Sequence, residues 1–110
     1  MQAKVEIEAG VCGFRTVACV TSDDCQNVTF AINSGCEKIR ALAARLQAHG
    51  PIDAYQEISP ATESVVLTTV RETLKGCCAG CAVPAGLFKA MQVAAGLALP
   101  QDITIRLSAG

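Results

Sequence analysis

A chain of 110 residues fits one domain, residues 1–110, and on folding it should bury roughly two-thirds of its unfolded surface, enough for a core without covalent staples. Hydrophobic residues make up 51%. No uncharged apolar run reaches the roughly 18 residues of a membrane-spanning helix, so no membrane is expected as a partner. Nine basic residues stand against ten acidic ones, a net charge of −1. No basic block is interleaved with aromatics, and that excludes nucleic acid as an expected partner.

The opening "MQAKVEIEAG" alternates charged and apolar residues, whereas a secretory signal needs a basic start and a continuous apolar stretch, so a cytoplasmic location is expected. Lys4–Ala9 reads as a half-buried strand with Val5, Ile7 and Ala9 on one face. After a Gly-Val-Cys-Gly turn, Phe14–Thr21 is apolar or β-branched on both faces and forms the second strand of a hairpin. Ser22–Asn27 is turn chemistry, and Val28, Phe30 and Ile32 alternate into a third strand. Ser34-Gly-Cys-Glu37 has the form of a capping box and predicts a helix over 35–49, ended by Gly50-Pro51. Ser59-Pro60 predicts a second helix over 60–75 that stops at Gly76. Pro84 opens a third helix over 84–95, and Asp102–Leu107 alternates as a last strand. The fold class expected is α+β: a three-stranded antiparallel meander plus a C-terminal strand, with about three helices packed on one face.

Seven cysteines cannot all pair within one chain, and reducing cytosol disfavours structural disulfides, so thiols or metal thiolates are expected. In an antiparallel meander the first turn and the end of the third strand share one edge of the sheet, which brings Cys12 and Cys36 to the same end. Cys19 lies on the order of 20 Å along the strand from Cys12, and Cys25 sits in the opposite turn. Both are read as small packing hydrophobes. Cys36 falls at the start of a helix, where free amides and the dipole favour a thiolate. The Cys-Ala-Gly-Cys of Cys78 and Cys81 leads into another helix, and its spacing lets both sulfurs turn to one ion. Cys77 is left out because adjacent cysteines point apart. Cys12, Cys36, Cys78 and Cys81 are therefore the candidate ligands for zinc or an iron–sulfur cluster. Lys38 and Lys75 are placed to offset the charge, about −2 for zinc in four thiolates.

Two rival readings stand beside this one. A Cys78–Cys81 pair could cycle as a thiol/disulfide redox couple, although the motif follows a helix and lacks a preceding βαβ unit. Alternatively the cysteines only pack, and the protein is an interaction module whose second strand turns Val17 and Cys19 outward, which leads to the expectation of a homodimer. His49, the only histidine, lies a helix length from Cys36, about 20 Å, and makes no nucleophile pair with it. "GVCGF" lacks the lysine and hydroxyl residue of a phosphate loop, and no enzyme signature is found.

The segments "GVCGF", "SGCEKI" and "CAVPAGLFKAMQVAAGLALPQDITI" together resemble a family of small uncharacterised cysteine-bearing proteins of anaerobic and archaeal prokaryotes, a domain of unknown function. The resemblance spans nearly the whole chain. It implies a free-standing domain and no particular reaction.

Overall fold

A computed structural model describes all of residues 1–110. Its period-two segments become three antiparallel strands, β1 (Gln2–Glu8), β2 (Arg15–Thr21) and β3 (Asn27–Ser34). A short β4 (Ile52–Asp53) completes one sheet of order β1-β2-β3-β4. The register pairs Val5 with Ala18 and Ala18 with Ile32, so Ala3, Val5, Ile7, Thr16, Ala18, Val20, Val28, Phe30 and Ile32 share the inner face. Lys4, Glu6, Glu8, Val17, Cys19 and Ala31 share the outer one. The fold is α+β, as the alternation of periods predicts.

Helices cover the inner face. The first, α1 (Glu37–His49), buries Ile39, Leu42 and Leu46 against β3, and Gly50, at φ 84°, ends it. The last, α4 (Val83–Ala94), carries Pro84 in its first turn and packs Val83, Leu87, Ala90 and Met91 over β1 and β2. Between them α3 (Val65–Thr73) leans on α1, and Arg45 of α1 meets Glu72 at 2.7 Å. Helix α4 approaches β1 so closely that a Cβ built at Gly86 would lie 2.5 Å from Ile7 Cδ1 and 2.9 Å from Cγ1.

Three expectations need correction. The serine of the proposed capping box does not cap α1. Cys36 occupies the N-cap position, and the Ser34 hydroxyl accepts from the Cys36 amide at 3.1 Å and from the Thr16 hydroxyl at 2.9 Å. The expected helix 60–75 is shorter because the preceding residues fold on their own. Asp53 accepts from the Tyr55 and Gln56 amides and caps a five-residue α2 (Ala54–Ile58). Ser64, rather than Ser59, then caps α3 by accepting from the Leu67 amide at 3.0 Å. The buried Glu57 of α2 reinforces that cap by accepting from the Ser64 hydroxyl and from the amides of Val65 and Val66, so its carboxylate sits at the positive end of α3.

The third correction concerns the C-terminal strand, which does not form. After α4 the chain turns at Gly96, φ 78°, where the Leu97 amide donates to Gln92 at 2.7 Å. Residues 98–110 make no backbone hydrogen bond, and Ile103, Ile105 and Leu107 are exposed. Alternation sets which side chains share a face but does not supply an edge to receive them. The stretch Gly76–Ala94 has the length and mean hydropathy, 1.3, of a membrane span. In this fold it is broken between a 3₁₀ turn and α4, and α4 spends its apolar face on the sheet.

The turn at the opposite end of the sheet is held by Asp24. Its Oδ1 accepts from the amides of Gln26 and Asn27 and its Oδ2 from the Asn27 side chain. Those bonds, the Asn27 side chain first, lower the Asp24 pKa from 3.8 to about 2. Gln26 reaches on to Asp53 at 2.8 Å and so ties the turn to β4 and α2.

Two measurements check this architecture. Gly86→Ala should destabilise the protein by about 1–3 kcal/mol in urea unfolding, and Ile7→Val in the same background should restore part of the loss by removing Cδ1. The Asp24 pKa is depressed on folding, so its stabilisation is present above about 4 and is lost as pH falls through about 2. Asp24→Asn should flatten the stability profile between those values.

Candidate functional site

The β1–β2 turn needs two residues at positive φ, which Gly10 (97°) and Gly13 (75°) supply, and Gly13 donates to Gly10 at 2.9 Å. Cys12 lies between them and is exposed. The turn meets the end of β3, since Thr16 pairs with Ser34. The Phe14 ring lies over Gly35, 3.2 Å from where a Cβ would stand. Cys36 follows directly. It is half-buried against the core, and as the N-cap residue it makes no side-chain cap hydrogen bond. The first amides of α1 are therefore left without a side-chain partner on this side.

The third cysteine segment arrives from the other end of the chain. Gly76, at φ 66°, starts a 3₁₀ turn over Gly76–Gly80, in which Cys78 donates to Lys75 at 3.3 Å and Cys81 to Cys78 at 3.2 Å. This turn leaves Cys77 exposed and Cys78 and Cys81 half-buried against the core, so the two adjacent cysteines do point apart. Cys81 ends the 3₁₀ turn, and α4, whose Gly86 sits on Ile7, begins two residues later at Val83. On the α1 side, Lys38 Nζ donates to the Lys75 carbonyl at 3.3 Å. That contact was not legible from the sequence and ties the start of α1 to the start of the cysteine turn. The cysteine turn therefore begins beside the start of α1, at the end of the sheet that also carries the Cys12 turn.

These segments do not form a finished site. No three Cys, His, Asp or Glu side chains stand close enough together to hold an ion, and all seven cysteines are free thiols. Of the cysteines read as packing residues, Cys19 is half-buried on the outer face of β2 between Lys4 and Ala31. Cys25 is exposed at φ 58° in the Asp24 turn, so it fills no core position. His49 is exposed at the end of α1.

A family model covers nearly this whole architecture, from residue 3 to residue 107. The chain belongs to DUF6951, a family of unknown function. The DUF6951 match includes all three cysteine-bearing segments as well as the C-terminal stretch beyond α4. No curated protein and no solved structure matches the chain.

The exposures set an order of thiol reactivity. Brief alkylation of the native protein followed by peptide mass spectrometry should modify Cys12, Cys25 and Cys77 first and Cys19, Cys36, Cys78 and Cys81 later. Equal labelling of Cys77 and Cys78 would contradict the 3₁₀ turn.

Proposed function

We propose that the protein is a small metal-binding module that takes zinc or an iron–sulfur cluster on Cys12, Cys36, Cys78 and Cys81. The observation that carries this reading is the Lys38–Lys75 contact, which brings the cysteine turn to the start of α1, where Cys36 lies, at the end of the sheet that also carries the Cys12 turn. A lysine there offsets thiolate charge.

Magnitudes decide whether an unfinished site is an objection. The ends of the 3₁₀ turn are held by the Cys78–Lys75 and Cys81–Cys78 backbone bonds and the Lys38 contact, and the Cys12 turn by the Gly13–Gly10 bond, closed by the Ala9 amide on the Phe14 carbonyl. Reshaping both forfeits about 0.5–1.5 kcal/mol per bond. Structural zinc binding to cysteine and histidine ligands returns about 10–16 kcal/mol at neutral pH. The surplus closes the loops over an ion, and metal binding and loop ordering become one event.

The redox reading has its own support in the CxxC, where the Cys81 amide bonds to Cys78 across the turn and both sulfurs are half-buried. In that reaction the two thiols would form a disulfide while a partner disulfide accepts the two electrons and two protons. The two readings separate in one experiment on protein purified without oxygen. The metal reading expects zinc by elemental analysis, or broad absorbance near about 400 nm from a cluster, together with four thiols that react only after chelation. Alanine at any of Cys12, Cys36, Cys78 or Cys81 should lower the metal content, and alanine at Cys19 or Cys25 should not. No metal, all seven thiols freely reactive, and a Cys78–Cys81 disulfide on mild oxidation would replace it with the redox reading.

A further inference from the structure

The sheet has one long open edge, and its hydrogen-bonding pattern can be read from its ends. Met1 and Ser22 exchange both of their backbone bonds, and the Ala9 amide donates to Phe14. Those pairs continue the β1–β2 register, in which Ala3 faces Val20, Val5 faces Ala18 and Ile7 faces Thr16. Bonded pairs alternate in an antiparallel ladder, so the odd-numbered residues of β1 bond to β2. The amides and carbonyls of Gln2, Lys4, Glu6 and Glu8 point to the free edge. The chain beyond Leu97 could have covered that edge. Residues 100–105 line a cleft of about 930 Å³ beside β1, yet they form no hydrogen bond with it.

We propose that β1 pairs antiparallel with β1 of a second copy about a two-fold axis at Val5, joining two four-stranded sheets into one of eight strands. The argument is the charge pattern. Full overlap of the seven-residue strand centres on Val5, and this single register sets Lys4 opposite Glu6 of the second copy and Glu6 opposite its Lys4. Gln2 faces Glu8 of the second copy. Each of these is a pair between residues whose backbone groups point outward, so one register completes the ladder bonds and adds a cross-strand partner to Lys4 and Glu6, which within one chain meet each other at 3.3 Å while Glu6 also meets Arg15 at 3.1 Å. On the inner face Val5 meets Val5 of the second copy, and Ala3 meets its Ile7, at the closely spaced non-bonded positions where apolar side chains touch best. An edge lysine ordinarily deters strand addition. Here Lys4 already meets Glu6 of its own strand, and the partner strand adds a second carboxylate opposite it. Val5 and Ile7 are only half-buried in the single chain, and Ile103 and Ile105 line the same cleft exposed, so apolar surface remains for the second copy to cover. The pairing surface is isologous, and this inference stands independently of the metal reading.

The test uses the full chain in light scattering over a concentration series, together with amide hydrogen exchange. A dimer is expected, with the amides of Lys4, Glu6 and Glu8 protected as the dimer forms. Lys4→Glu and Glu6→Lys alter exposed side chains, and circular dichroism should show the monomer fold intact. Each places like charges opposite one another twice across the axis and should weaken dimerisation roughly tenfold or more, while the double variant restores the opposition and should recover most of the affinity. A monomer at every concentration overturns the proposal. So does a monomer whose Lys4 and Glu6 amides are nevertheless protected, because the chain's own C-terminal stretch would then occupy the edge. A dimer indifferent to both single reversals also overturns it.

Discussion

The missing side chain at Gly86 is the constraint on which most of this structure depends. With no Cβ there, α4 settles onto Ile7 and Val5, and the distance between helix and sheet is set by backbone against side chain. Everything α4 buries, from Val83 to Ala94, inherits that height. Its N-terminus is fixed along β1 as well, so the residues just before it have little choice of place. Cys81, two residues before α4 begins, is constrained by the same contact, because a helix cannot slide along a strand once Gly86 has found Ile7.

The opposite side of the cysteine region is set by polar bonds. Thr16, Ser34 and the Cys36 amide form a chain of hydrogen bonds that hands β3 over to α1. Glu57 fixes the start of α3 from outside the helix, and that helix leads to the cysteine turn. The segments that flank the cysteines are therefore held by several polar bonds, whereas the turns Gly10–Gly13 and Gly76–Gly80 make no side-chain hydrogen bond. Held supports with less constrained turns are what the metal reading proposed above requires.

The meander was legible because period two is unambiguous where charged and apolar residues alternate, as in Lys4–Ala9. The common end of Cys12 and Cys36 followed from strand parity alone. Short elements were not legible. Ile52–Ile58 offers too few residues to show a period, and the Asp53 cap is visible only when the amides it serves are in place. Ser59-Pro60 looks like a helix start, and Glu57 moves the cap to Ser64, seven residues after it, through a contact no local pattern contains. The C-terminal alternation misled for a related reason, since a strand needs an edge as well as a pattern. What the sequence could not express about the cysteine region was distance, because Lys38 and Lys75 are 37 residues apart and meet only through the packing of α1 and α3.

The pairing of β1 with α4 also has a temporal meaning. One lies at the start of the chain and the other near its end, and the inner face of the sheet stays uncovered over β1 and β2 until α4 has been made. During synthesis the hairpin of β1 and β2 emerges early, with Ala18 and Val20 in water and its outer edge unpaired. The closing contact spans almost the whole sequence and carries the loop-closure cost of such contacts. A ribosome-bound fragment ending at Leu74 holds four of the seven cysteines and no finished core. The remaining three leave the ribosome together, immediately ahead of the helix that completes the fold.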